Sequence, residues 1–380
     1  YLACARCSST GSLVLTEPVS TLNGGDLQTE CLETKNPSSF TIGNTAQEKG
    51  LDYVPECYVV SPSKSSSSGT EKARIPTIDM SRLRMNGNKR SIAIEELGEA
   101  CRHRGFFQVV NHGISQSILD EALAMAFGFF DLPSEEKLKF KSNDVYNPVR
   151  YGTSLKDGAD KVQFWRVFLK HYAHPLDAWI DSWPHNPPQY REKMGKYCAQ
   201  VRNLALELMG MIIESLRISP NRLTPKMDRG MQVMAVNCYP PCPKPEMALG
   251  LPPHSDYTCL TIILQSSTGL EILDTDDGNW KMVPELHGAL QVHIGDHFEV
   301  MSNGVYKSVV HRATLNSEKT RISIASLHSL GMDDKMETAN ELIDEQNPKR
   351  YKESSFRDFL DFLANNDIAD GKHFIDTLKF

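Results

Sequence analysis

Leu249-Gly-Leu-Pro-Pro-His-Ser-Asp-Tyr-Thr-Cys-Leu-Thr-Ile-Ile-Leu-Gln265 is the stretch on which the reading of the fold turns. From Met231 onward the spacing of apolar residues is alternating rather than helical. Short runs at Thr258–Gln265, Ala289–Ile294, Ser308–His311 and Arg321–Leu327 are separated by turns rich in Gly, Asn and Asp. Many short strands at such intervals predict a β-sandwich or barrel. Within the quoted stretch, His254 and Asp256 stand two apart at the start of a predicted strand, so both side chains share one face. His311, in Val309-Val-His-Arg-Ala313, lies on another predicted strand and offers a third ligand. Two imidazoles and a carboxylate on one face of an octahedron leave three positions open, which suits Fe(II) and O₂ chemistry. A closed structural zinc site wants four protein ligands. Zinc accepts the same atoms, however, so these three residues alone do not fix the metal.

Ten residues beyond His311, Arg321-Ile-Ser323 again places two side chains on one face. A buried guanidinium needs an anion, because an unpaired charge in low dielectric is costly. Either an internal Asp or Glu supplies it, or a carboxylate ligand is clamped by the Arg fork with Ser323 as a neutral donor. The neighbouring metal set favours the ligand.

Upstream the chain is helical. Helices are expected at Ser91–Arg104, Ser115–Phe130, Ser134–Lys141 and Gln189–Leu216, the last with Val201, Leu204, Ala205, Leu208 and Ile212 on its buried stripe. Short strands are expected at Ile75–Asp79 and Phe106–Val110, and residues 148–158, with Pro148, Gly152 and Gly158, read as a loop. A final amphipathic helix, Ser355–Leu363, gathers Phe356, Phe359, Leu360 and Leu363. The fold class is therefore mostly β with flanking helices (α+β). Four regions are expected: a disordered Ser-rich leader and linker (1–70), a mainly helical part (71–225), a β core (226–335) and a helical tail packing on it (336–380).

The 41 basic and 48 acidic side chains give a formal charge of −7. With no dense Lys/Arg run, that argues against a nucleic-acid footprint. No apolar stretch reaches the roughly 20 residues needed to span a bilayer, so no membrane partner is expected. Nine cysteines, an odd and scattered set, fit reduced thiols in an intracellular compartment better than a disulfide scaffold. Cys4 and Cys7 read as free thiols in a tail. A cytoplasmic location is expected, with organellar import an alternative because the first 16 residues carry no acid and several Ser and Thr. No assembly heptad stands outside the core helices, which favours a monomer.

From about residue 72 to 380 the sequence resembles the plant-type 2-oxoglutarate/Fe(II)-dependent dioxygenase family. The resemblance is carried by Ile75–Asp79, Gly105-Phe-Phe-Gln-Val-Val-Asn-His-Gly113, Asn237-Cys-Tyr-Pro-Pro-Cys-Pro243, Leu249–Asp256, Gly295-Asp296, Ser302-Asn-Gly304, Tyr306-Lys-Ser-Val-Val-His-Arg312 and Arg321-Ile-Ser323, in the family's order. It implies a double-stranded β-helix (jelly-roll) core preceded by helices. It also implies that His254, Asp256 and His311 bind iron, that Arg321, Ser323 and Tyr239 hold the distal carboxylate of 2-oxoglutarate, and that Asn237 lines the cosubstrate. The implied cofactors are Fe(II), 2-oxoglutarate and O₂, with ascorbate as reductant. Decarboxylation to succinate and CO₂ then drives hydroxylation, desaturation or demethylation of a small specialised metabolite.

In flavonoid-oxidising relatives an aromatic residue stands six positions after the cosubstrate Arg, and some carry a Lys two before the matching Asn. Leu327 and Ala235 occupy those positions here, which weakens a flavonoid assignment and points to a more aliphatic pocket. Tyr151, Phe164 and Trp165 are further candidate pocket residues. His287, His293, His297 and His328 read as structural, and Cys238, Cys242 and Cys259 as packing thiols. Two alternatives stay open: an oxidase of the same family that does not use 2-oxoglutarate, and a catalytically silent ligand-binding jelly-roll.

Overall fold

The computed structural model describes residues 40–60, 71–154, 162–219, 223–366 and 371–380. Twelve strands are found among them: β1 (Thr77–Asp79), β2 (Phe106–Val110), β3 (Val149–Gly152), β4 (Val167–His174), β5 (Gln232–Tyr239), β6 (Leu251–His254), β7 (Leu260–Gln265), β8 (Leu270–Leu273), β9 (Trp280–Met282), β10 (Leu290–Ile294), β11 (His311–Ala313) and β12 (Arg321–His328). They form an eight-stranded sheet ordered β1-β2-β10-β7-β12-β5-β4-β3 and a four-stranded sheet ordered β6-β11-β8-β9. From β5 onward the chain changes sheet at every connection except the β8–β9 hairpin. Side chains of both sheets line one cavity, so the layers face each other as a jelly-roll, as the alternating pattern predicts.

The outer face of the large sheet is covered by helices. Tyr190–Ser215 packs on β7 and β12 and against the helices Asn88–His103 and Gln116–Phe130. Its expected stripe, Val201, Leu204, Ala205, Leu208 and Ile212, is buried, because an apolar face at helical spacing must find a partner. At the far end, Ser355 accepts a hydrogen bond from the Asp358 amide while the Asp358 carboxylate accepts from the Ser355 amide, a reciprocal cap. It starts the helix Phe356–Asn365, whose aromatic side reaches the cavity mouth.

Four expectations need correction. Residues 40–60 are not a disordered linker. Phe40, Ala46, Val54 and Tyr58 are buried with Trp165, Cys242 and Ala248, and the Val60 amide donates to the Met247 carbonyl at 3.0 Å. Sparse apolar residues without a period can still dock on a surface that already exists. Second, 148–158 is not simply a loop: β3 starts at Val149, and β4 pairs antiparallel with β5. The N-terminal strands thereby join the core sheet, so no structural boundary falls at residue 225. Third, the strand expected at Ser308–His311 begins only at His311. Fourth, the helix from Ser134 stops at Leu138. The Cys4/Cys7 pair lies outside the described residues, and among those described no helix is long and apolar enough to cross a membrane.

Candidate metal and cosubstrate site

His254 ends β6 and pairs directly with His311, the first residue of β11. Their rings lie 4.2 Å apart, centroid to centroid. Asp256 lies beyond the end of β6, in the turn leading to β7, so strand parity is not what aims it. The turn is pinned from the opposite layer, where the Asp296 amide donates to the Asp256 carbonyl at 2.8 Å. Gly295 makes that approach possible, since a Cβ there would sit 2.0 Å from the Thr258 carbonyl oxygen. One Asp256 oxygen is 3.8 Å from Nε2 of each histidine, and one ligand atom from each residue lies within 4.8 Å of the others. That spacing accommodates one ion, with modest contraction towards metal–ligand bond lengths.

The second atoms of these ligands are already committed. Nδ1 of His254 lies 2.8 Å from the Pro252 carbonyl, and Nδ1 of His311 lies 3.1 Å from the Val309 carbonyl. Each carbonyl requires a proton on Nδ1, which leaves the Nε2 lone pair for a metal. Burial above all, aided by its partner histidine, lowers His254 to about 3, and burial with nearby His293 lowers His311 to about 4, so both imidazoles are neutral at pH 7. Burial works against ionising Asp256, but His311, His293 and His254 outweigh it and hold the carboxyl well below its usual range. His293, expected from sequence to be structural, sits closer to the site than its sequence context announces. Its Nδ1 is 3.7 Å from Asp256 and its ring 4.3 Å from His311.

Across the cavity, β12 and β5 align Arg321 with Tyr239 and Ser323 with Asn237, and all four line the same space as the three ligands. Arg321 is buried. Nε donates to the Ser267 carbonyl at 3.0 Å and Nη2 to Gln265 Oε1 at 2.9 Å, while Nη1 has no hydrogen-bond partner. Among the described residues no carboxylate stands within ion-pair distance of it, so the internal Asp or Glu considered from sequence is not there. Gly269, with φ of 142°, lets the chain pass over this side chain, since a Cβ would lie 2.7 Å from Arg321 Cδ. A buried guanidinium with an open donor, facing a set of metal ligands across a cavity of about 290 Å³, has the chemistry of a dicarboxylate seat.

Comparison with known proteins agrees with this geometry. Residues 230–329 match the 2OG-Fe(II) oxygenase superfamily model, and residues 75–190 match the model described as non-haem dioxygenase in morphine synthesis N-terminal. The chain is 48% identical over 306 residues to "2-oxoglutarate-dependent dioxygenase 21, chloroplastic" of Oryza sativa subsp. japonica, covering 80% of this chain and 91% of that one. It belongs to the 2OG-Fe(II) oxygenase superfamily. "Flavanone 3-dioxygenase 3" of the same organism is 46% identical, covering 80% of this chain and 93% of that protein. Among solved structures, JOX2 in complex with 2OG, Fe and JA superposes with a TM-score of 0.73 at 30% identity, covering 83% and 90% of the two chains. The protein is thus a 2-oxoglutarate-dependent non-haem iron dioxygenase, using Fe(II), 2-oxoglutarate and O₂ as this superfamily does.

The substrate candidates separate. Leu327, Ala235 and Phe164 line the cavity. Tyr151 does not: it is packed against Phe129 and Phe130 in the core. Nor does Trp165, whose indole donates to the Pro241 carbonyl at 3.1 Å and packs edge-on against Tyr58. Consecutive residues of an extended chain face opposite ways, so Phe164 inward puts Trp165 outward. Sequence reasoning missed Arg150, Arg166, Phe168 and Lys170 on β3 and β4, which also line the cavity. The alternating residues 166, 168 and 170 were the available signal. Cys238, Cys242 and Cys259 are buried free thiols outside the ligand set, and burial raises all three, Cys238 and Cys259 to about 12.

Proposed function

We propose that the protein hydroxylates, desaturates or demethylates a small specialised metabolite, with His254, Asp256 and His311 holding Fe(II) and Arg321, Ser323 and Tyr239 receiving the distal carboxylate of 2-oxoglutarate. The observation that carries this reading is the open Nη1 of Arg321, buried in the same cavity as the three metal ligands. Bound Fe(II) and 2-oxoglutarate supply the activation of O₂, with succinate and CO₂ released. The protein supplies placement. The Pro252 and Val309 carbonyls hold the two imidazoles in the ligating tautomer. The Ser267 and Gln265 oxygens fix the direction of the Arg321 fork. Asn237, whose Oδ1 accepts from Arg166 at 3.0 Å, is held beside Ser323 as a cosubstrate-lining residue. Leu327, Phe164 and Phe359 present apolar surface to the remaining space and exclude water from it, while Ala235 leaves room.

A flavanone is the competing substrate class, supported by the name of the rice relative and opposed by Leu327. A monomer acting on a free small molecule, in an organelle as the name of the other rice relative suggests for that protein, completes the proposal. Imaging of a fluorescent fusion checks the location. The function is tested by aerobic incubation with Fe(II), ascorbate, 2-oxoglutarate and a panel of phenolic, flavonoid and terpenoid metabolites. Succinate should appear with a product one oxygen heavier or two hydrogens lighter, and His254→Ala should abolish both. Turnover that persists without 2-oxoglutarate contradicts the proposal.

A further inference from the structure

Behind Asp256, off the cavity wall, stands a buried histidine that belongs neither to the metal triad nor to the Arg321 seat. His293 lies on β10, between β2 and β7, in register with Phe106 on one side and Thr261 on the other. Its ring is 4.8 Å from that of Phe106 and 4.3 Å from that of His311, centroid to centroid. Hydrogen-bonded neighbours on both sides fix the backbone beneath it. Neither ring nitrogen has a hydrogen-bond partner. Nδ1 faces Asp256 Oδ2 at 3.7 Å, and that oxygen is also buried and without a partner. The other carboxylate oxygen, Oδ1, is the one turned towards Nε2 of His254 and of His311.

A buried donor and a buried acceptor left unmade both forfeit their solvation. An N–H···O bond forms at about 2.7–3.2 Å, so this pair is short of contact by less than about 1 Å. His293 is held in the middle of a sheet, whereas Asp256 sits in a turn beyond the end of β6. The carboxylate is therefore the partner free to adjust. An acceptor opposite Nδ1 selects the tautomer that carries its proton there. Hydrogen bonds to the far atom of a ligating group are a general means of setting its orientation, as the Pro252 and Val309 carbonyls do for the two imidazoles.

On the reading of His254, Asp256 and His311 as the Fe(II) ligands, we infer that His293 is a positioning residue for the centre: its Nδ1–H holds Asp256 Oδ2 and presents Oδ1 to the ion as a single ligating oxygen. With Oδ2 engaged, the carboxylate takes one coordination position rather than two. The facial set of three protein atoms then keeps three positions open for the cosubstrate and O₂. This role needs a donor at one place, not bulk, and side chains of different size separate the two. The amide nitrogen of Asn stands where Nδ1 stands, that of Gln stands farther out near Nε2, and Leu fills space without donating.

The test sets Fe(II) affinity, by anaerobic calorimetry on the full chain, against stability in denaturant. His293→Leu and His293→Gln should weaken Fe(II) about 10- to 100-fold, and His293→Asn should stay within about threefold of the unaltered protein. Stability should run the other way, since the smaller Asn leaves a cavity: His293→Asn should unfold before His293→Leu. Unchanged Fe(II) affinity in His293→Leu overturns the inference. So does a loss in His293→Asn as large as in His293→Leu, or affinity and stability falling in the same order. A second measurement needs no variant. In the unaltered protein labelled with ¹⁵N-histidine and loaded with Zn(II), which accepts the same ligand atoms, nuclear magnetic resonance should show His293 protonated at Nδ1. A bare Nδ1 overturns the inference even if every variant misfolds. Failure of the unaltered protein to bind Fe(II) would instead sink the reading of the triad on which the inference rests.

Discussion

Arg312 and Arg321 are nine residues apart, both almost wholly buried, and they end in opposite circumstances. On the small sheet, Arg312 Nε donates to Glu271 at 2.7 Å, with both side chains 1% exposed, and its guanidinium lies 4.2 Å from the Trp280 ring centre. On the large sheet, Arg321 has a backbone carbonyl, a glutamine oxygen and one open donor. The first has the protein's own Glu271 carboxylate as counter-charge and belongs to the architecture. The second meets no carboxylate among the described residues, which is what the proposed seat for the cosubstrate requires. Burial alone does not separate a structural arginine from a binding one; the identity of the missing partner does.

Removing Glu271 should give the largest effect. Glu271→Ala leaves a buried charge without its carboxylate and should cost about 3–5 kcal/mol of stability, read by denaturant unfolding, with 2-oxoglutarate affinity unchanged in the protein that remains folded. Arg321→Met should do the reverse. It should weaken 2-oxoglutarate by about 2–3 kcal/mol, roughly 30- to 150-fold, by calorimetry, and shift stability by less than about 1 kcal/mol because no ion pair is broken. Gly269→Ala should fall between the two regions, costing about 1–3 kcal/mol from the positive φ, and weakening 2-oxoglutarate through displacement of Arg321. The smallest effect belongs to Glu271→Met combined with Arg312→Met. Replacing both partners by apolar side chains should recover most of the single-variant loss, ending within about 1 kcal/mol of the parent. If the double variant is as unstable as Glu271→Ala, the contrast between the two arginines is wrong.

The legible part of the molecule was the part written in short, alternating strands. His254, His311, Arg321 and Ser323 read correctly as convergent because strands one-sided towards a cavity keep a period of two. Asp256 converges for a different reason, the pinning of its turn by the Gly295–Asp296 backbone, which leaves only a glycine as a trace in the sequence. β4 was illegible because Val167, Phe168, Leu169, Tyr172 and Ala173 are buried on both faces. A strand covered on two sides loses the polar alternation that marks it. Missing β4 hid Arg166, Phe168 and Lys170 and left Trp165 among the pocket candidates beside Phe164, although neighbours on an extended chain face opposite ways. The packing of 40–60 was hidden for another reason. Its apolar residues answer to the surface around Trp165 and Ala248, not to a repeat of their own.

The central claim is that His254, Asp256 and His311 hold Fe(II) within chelating reach of a 2-oxoglutarate anchored on Arg321. Anaerobic addition of Fe(II) and then 2-oxoglutarate, followed by visible absorption, tests it most directly. The account predicts a charge-transfer band that needs both additions, is absent in His311→Ala and requires far more 2-oxoglutarate in Arg321→Met. A protein that gives no band, or gives the same band in all three forms, contradicts it.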